Sequence, residues 1–113
     1  MGTTDIVKAT VSNYLVGDLI NEEVFYRTQP ITGYTFLMLA AADATAITSG
    51  TVNAFITKDG GTQASLAGTP AHEGNGQWSV NLTTAEMDAV VVALVFTHTS
   101  AVPVFKTIET SPV

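Results

Sequence analysis

The chain has 113 residues, a formal net charge of −6 and no cysteine, and only 12% of its residues are charged. The length suits one domain. The four cations are too few to neutralise a phosphate backbone or an anionic membrane surface, so we expect no nucleic-acid and no membrane partner. The lack of cysteine excludes disulfides and thiolate metal sites. So little charge is typical either of a compact monomer or of a protein that contacts other proteins over much of its surface.

The first 30 residues give a mixed pattern. Val7, Ala9 and Val11 alternate as in a strand, whereas Val11, Leu15 and Leu19 have helical spacing. The stretch "EEVFYRT" predicts a further strand. We predict that residues 1–30 form an N-terminal arm or edge strand outside the main domain. Its expected partner contacts are Val7, Val11, Leu15 and Phe25.

The middle of the chain reads as strands separated by glycine turns. "GYTFLMLAA" and "TVNAFITK" each alternate between two faces and predict strands. Asp59-Gly60-Gly61 predicts a turn in which glycine adopts a positive φ. A short strand is expected around "TQASLAGT".

The stretch "EGNGQWSVNL" contains the strongest strand signal. Gly74-Asn75-Gly76 suits a tight turn. After it, Trp78, Val80 and Leu82 alternate with polar residues, which predicts a sheet with one buried face. We therefore expect Trp78 in the core between two sheets. The alternative is that its ring stacks on a sugar.

The last third of the chain predicts a capped turn and two strands. "LTTAEMDA" suits a short helical turn with Thr83 or Thr84 as its cap and Glu86 near its start. "VVVALVFTH" is apolar on both faces, which indicates a central strand or a face covered by a partner. In "VPVFKTIET", Pro103 favours a bulge or a sheet edge. Together these elements predict an all-β fold, a single antiparallel β-sandwich over residues 31–113.

The polar residues do not form a convincing catalytic or metal-binding pattern. His72 and Glu73 are adjacent, so in a strand they would point to opposite faces. His98 is surrounded by hydroxyl residues but lacks a nucleophile elbow and an oxyanion loop. We expect both histidines to be surface loop residues. The acids have no metal-ligand spacing. We therefore expect a protein that is not an enzyme and binds no metal and no cofactor.

From Thr51 to Thr110 the chain resembles a recurrent immunoglobulin-like β-sandwich module of tailed-bacteriophage virion proteins. The resemblance lies in the order and spacing of the "KDGG", "GT" and "GNG" turns, the aromatic strand and the "LTTAE" stretch. The matching residues are Lys58, Asp59, Gly60, Gly61, Gly68, Thr69, Gly74, Asn75, Gly76, Trp78, Leu82, Thr83 and Glu86.

This resemblance implies that the protein is a structural part of a virion. It also implies where residues lie in the fold, with Trp78 in the core and Gly60, Gly61 and Gly76 in turns. Among such parts we expect a capsid decoration (cement) protein, a homo-oligomer whose partner is the major capsid protein or another virion protein. The alternative is a collar, tail or fibre module that binds a receptor or glycan, with Trp78 or Tyr34 as the stacking platform. Exposure of such a platform ring would favour the alternative, whereas burial of Trp78 between the sheets would favour the decoration protein.

Overall fold

Seven strands and the turns between them make up the described part of the computed structural model, residues 24–112. The strands are β1 (Ile31–Leu37), β2 (Asn53–Lys58), β3 (Ala64–Ser65), β4 (Ala71–Gly74), β5 (Gln77–Leu82), β6 (Val91–Thr97) and β7 (Val104–Glu109). Neighbouring strands pair antiparallel in two sheets, with the orders β1-β5-β4 and β3-β2-β6-β7. The predicted all-β sandwich is confirmed, and residues 24–112 contain no helix; there is accordingly no helix among them that could cross a bilayer.

The core lies between the inner faces of the two sheets. Trp78 is only 3% exposed, and its indole N–H donates to the Ile47 carbonyl oxygen at 2.9 Å. The rings of Phe36 in β1 and Phe96 in β6 stack with centroids 3.7 Å apart. β6, between β2 and β7, is the central strand that its apolar pattern predicts. The inner-facing strand residues are Phe36, Ala54, Ile56, Trp78, Val80, Leu82, Val92, Leu94, Phe96 and Ile108.

Two tight turns rest on positive φ angles. Asp59 and Gly60 have φ of 49° and 71°, and the Gly61 N–H donates to the Lys58 carbonyl oxygen at 2.9 Å. Asn75 and Gly76, with φ of 53° and 85°, join β4 to β5. Positive φ at both central residues is the mark of a type I′ turn. Gly61 has no positive φ, so its role differs from that of Gly60.

The predicted helical turn after β5 is a single turn closed by a reciprocal cap. The Thr83 N–H donates to Glu86 Oε1 at 2.9 Å, and the Glu86 N–H donates to Thr83 Oγ1 at 3.1 Å. This is the capping-box arrangement. Glu86 Oε2 also accepts the Ala67 N–H at 2.8 Å. One side chain therefore joins this turn to the segment that crosses from one sheet to the other.

The chain enters the sandwich beside the end of β7. Within the described residues, the strand predicted in "EEVFYRT" is reduced to one parallel bridge between Tyr26 and Ser111. The Ser111 N–H donates to the Phe25 carbonyl oxygen at 2.8 Å, and the Arg27 N–H donates to the Ser111 carbonyl oxygen at 2.9 Å. A turn at Arg27 and Thr28 then breaks the extended chain, since Thr28 has a φ of 65°. The arm predicted over residues 1–30 lies mostly outside the described residues.

Candidate functional site: two exposed apolar surfaces

His72 is a structural residue on β4 and not the loop residue that the sequence suggested. Its Nε2 atom accepts the Gly76 N–H at 3.0 Å. Its half-buried ring lies edge-on to Trp78, with centroids 5.2 Å apart. Glu73 points away to a different partner, the Ser79 hydroxyl. The two adjacent residues therefore do not form a chemical pair.

His98 fastens the loop between β6 and β7. Its Nδ1 accepts the Ser100 N–H at 3.0 Å, and its Nε2 lies 2.9 Å from the Ser49 carbonyl oxygen. A ring nitrogen that accepts an N–H carries no proton, so Nε2 carries the proton and donates to Ser49. Both ring nitrogens are thus occupied by backbone groups, which leaves no ring nitrogen to activate a nucleophile.

The carboxylates also serve the backbone. Asp59 Oδ1 accepts the Val90 and Val91 N–H groups at 3.1 and 2.9 Å, which fixes the start of β6 to the β2 turn. Glu86 accepts two backbone N–H groups, as described above. Within residues 24–112, no three His, Asp or Glu side chains come together in a way that could hold a metal ion.

The aromatic residues proposed as sugar platforms are held inside the fold. Trp78 is buried, so it cannot stack on a ligand. Tyr34 is half-buried, and its ring meets Phe25 edge-on at 6.3 Å. Phe25, expected to contact a partner, is partly buried and packs against the chain's own core. Val7, Val11 and Leu15 lie outside the described residues.

The outer face of the four-stranded sheet is apolar and almost uncharged. Phe55 in β2, Val95 in β6 and Phe105 in β7 lie directly opposite one another and form one row across the sheet. Phe105 is 70% exposed. The next row consists of Thr57, Ala93 and Thr107. We call these two rows the outer sheet face.

The outer face of the other sheet differs in character. The corresponding row there is Thr35, Ser79 and Ala71, which are small or polar. The contrast shows that exposed aromatic rings are not a general property of this surface. The sequence contained a signal for the outer sheet face, because β6 is apolar on both faces. The row itself could be identified only once the register of β2 and β7 against β6 was known.

A second apolar surface lies at one end of the sandwich, between the segment that follows β1 and the residues at the start of β7. This end groove has a volume of about 450 Å³. Leu37 and Val102, on its two sides, are 50% and 52% exposed. Its lining residues are Leu37, Leu39, Ala40, Ala41, Ala42, Asp43, Ala44, Val102, Pro103 and Val104.

One carboxylate stands at the rim of the end groove. The Thr45 hydroxyl and the Thr45 backbone N–H both donate hydrogen bonds to Asp43 Oδ1. These bonds, the hydroxyl's more than the N–H's, hold the pKa of Asp43 below its usual value. Asp43 is therefore ionised at neutral pH. A ligand of this groove would be apolar and, near Asp43, neutral or cationic.

Comparison with protein families, with curated proteins and with solved structures found no match to this chain.

Proposed function

We propose that this protein is a structural component of a tailed-bacteriophage particle, a capsid decoration protein that stabilises the shell through protein–protein contacts. The observation that carries the proposal is the outer sheet face, where Phe105 is 70% exposed in a row with Phe55 and Val95. Exposed apolar surface of this kind, depleted of charge and containing aromatic rings, is typical of the centre of protein interfaces.

The order of turns shared with virion β-sandwich modules supports the phage context. The hydrogen bonds of the described polar side chains favour a structural role over catalysis. Both histidines and Asp59, Glu73 and Glu86 are hydrogen-bonded within the fold. The burial of Trp78 weighs against glycan stacking. The proposed partners are the major capsid protein and further copies of this chain, with the virion as the location.

On a repeating shell, even weak contacts through the outer sheet face would be sufficient for binding. Each copy would contact the shell through a modest apolar patch, and neighbouring copies would reinforce one another through multivalency. The arm predicted over residues 1–30, with the alternating Val7, Ala9 and Val11, would add contacts by pairing its main chain with a neighbouring subunit.

Phe105→Ser tests the proposal directly. Because the ring is exposed, the variant should fold normally, as circular dichroism and thermal unfolding can establish. Its binding to particles that lack the protein should weaken by at least about tenfold, since an aromatic residue at the centre of an interface contributes about 2 kcal/mol or more.

Val90→Ser is the matched control, since Val90 is 54% exposed but lies before β6 and outside the two rows. It should bind particles like the unmodified chain. Equal binding by both variants would show that the outer sheet face does not contact the shell.

A further inference from the structure

Two pairs of exposed apolar side chains lie away from the outer sheet face. Leu37 and Val102, 50% and 52% exposed, lie on the two sides of the end groove. Val24 and Tyr26, 56% and 45% exposed, lie on the segment through which the chain enters the sandwich. We call Val24, Tyr26 and the neighbouring Arg27 the entry patch.

The end groove and the entry patch lie at opposite ends of the sandwich. Val104, the first residue of β7, lines the groove. Tyr26 bridges to Ser111, just beyond the end of β7. At about 3.3 Å per residue, the extended chain from Val104 to Ser111 spans roughly 23 Å. The entry patch of one molecule therefore cannot fill the groove of the same molecule, whereas the entry patch of a second copy can.

A carboxylate stands at one of these surfaces and an arginine at the other. Asp43 at the rim of the end groove is ionised at neutral pH, and no lysine or arginine is among the residues that line this groove. In the entry patch, Arg27 Nε donates to Asp88 Oδ1 at 2.9 Å in an exposed ion pair. Such a pair is weak, and a guanidinium has further N–H donors on its two Nη atoms. Arg27 can therefore bind a second carboxylate.

We propose that the entry patch of one copy binds in the end groove of a second copy. Tyr26 would lie against Val102, and the Arg27 guanidinium would lie near the Asp43 carboxylate of the second copy. A groove of about 450 Å³ is large enough to take an aromatic ring and an aliphatic side chain together. The inference rests on the proposed association of this chain with further copies, and it depends on neither the outer sheet face nor a phage origin.

This contact joins two different surfaces, so it is heterologous. Each copy that uses its groove still has a free entry patch for the next copy, and the copies form a closed ring or an open row. The outer sheet face lies between the two ends and remains free to bind another protein. A heterologous contact would therefore link neighbouring copies without competing with contacts to the shell.

Two single variants test the contact. Val102→Asp places a charge in the end groove, and Tyr26→Asp places one in the entry patch. Both side chains are exposed, so both variants should fold, as circular dichroism can establish. Analytical ultracentrifugation should show that the unmodified chain associates as its concentration rises, and that each variant alone associates at least about tenfold more weakly. Should either variant unfold, Leu37→Glu and Val24→Glu replace it at the same two surfaces.

An equal mixture of the two variants distinguishes this contact from a symmetric one. Val102→Asp keeps an intact entry patch and Tyr26→Asp keeps an intact groove, so the mixed pair can form the contact once. The mixture should give dimers and nothing larger, with an affinity close to that of the unmodified chain. The proposal is overturned by a mixture that stays monomeric, by a folded variant that associates alone as strongly as the unmodified chain, or by an unmodified chain that stays monomeric at every soluble concentration.

Phe105→Ser is the control, because its exposed ring belongs to the outer sheet face and not to either end. It should associate with further copies like the unmodified chain, although we expect it to bind particles more weakly. Weaker association of Phe105→Ser, as large as that of Tyr26→Asp, would show that copies meet through the outer sheet face and would overturn the contact. Tyr26→Asp that binds particles but no longer associates would support the contact independently of the shell.

Discussion

At the scale of single residues, Trp78 contributes to the packing of the two sheets against each other. Its ring fills the space between the sheets, and its N–H satisfies the carbonyl of Ile47, which lies in the long connection between β1 and β2. Trp78→Ala removes both interactions, so we expect a loss of about 3–5 kcal/mol in the free energy of unfolding. Trp78→Phe keeps most of the apolar volume but leaves the buried carbonyl without its donor, at a cost of about 1–3 kcal/mol. Denaturant unfolding of both variants would measure this order, and a loss below about 1 kcal/mol for Trp78→Ala would contradict the assigned role.

The turn glycines differ from one another in what an added methyl group would meet. At Gly60, with a φ of 71°, nothing lies within 4 Å of a Cβ, so Gly60→Ala should cost only the strain of the left-handed backbone, about 1–2 kcal/mol. At Gly76, with a φ of 85°, a Cβ would lie 2.8 Å from the Ala46 Cβ, so Gly76→Ala should destabilise the fold more. Gly61 has no positive φ, but a Cβ there would lie 3.1 Å from the Lys58 carbonyl oxygen, so Gly61→Ala should cost less than Gly76→Ala, which combines a closer contact with a positive φ. Thermal unfolding of the three variants should show the largest loss for Gly76→Ala, and a larger loss at Gly61 than at Gly76 would be inconsistent with the turn geometry.

At the scale of elements, Glu86 connects the capped turn after β5 to the crossover segment between the sheets. Its two carboxylate oxygens accept N–H groups from Thr83 in its own turn and from Ala67 in the crossover. Glu86→Ala should lower the free energy of unfolding by about 1–3 kcal/mol. Glu86→Gln retains one accepting oxygen, so its free energy of unfolding should lie between those of Glu86→Ala and the unmodified protein. Equal stability of all three proteins would mean that these hydrogen bonds contribute nothing net.

The loop that forms one wall of the end groove should respond to pH through Asp43. Because the pKa of Asp43 is held below its usual value, the stabilisation from its bonds to Thr45 is present above the unfolded pKa and is lost as pH falls through the folded pKa. Thr45→Val removes the hydroxyl, which makes the larger contribution, and should raise the pKa of Asp43. Titration of the Asp43 carboxyl carbon by NMR would measure the change, and an unchanged pKa in Thr45→Val would contradict the cause given.

Elements with a clear period could be predicted from the sequence, and those defined by distant partners could not. The strand at Trp78 alternates between apolar and polar residues, and the capping box at Thr83 and Glu86 has a fixed spacing of three. β4 was missed because Ala71–Gly74 has no β-branched and no large apolar residue, and its strand character comes from pairing with β5 through the Asn75-Gly76 turn. The packing of Phe25 against the core could not be predicted, because its backbone is held by a hydrogen bond from the distant Ser111, which no local pattern reveals.

For the whole molecule, the inner and outer faces of the sheets differ in character. The inner faces and the bonded polar side chains hold the sandwich together, while the outer sheet face and the end groove leave apolar side chains in solvent. Only 12% of the residues are charged, so much of the surface is uncharged. These features support the proposal of a cement protein on a repeating shell.

The location and copy number of the chain in purified particles test this account most directly. Cryo-electron microscopy of the particle, with quantitative mass spectrometry of its proteins, would give both. We predict many copies arranged over the capsid surface in a fixed ratio to the major capsid protein, each with the outer sheet face against the shell. A few copies confined to the neck, tail or fibres would contradict the decoration role and favour the collar, tail or fibre alternative, and absence of the chain from the particle would contradict the structural role altogether.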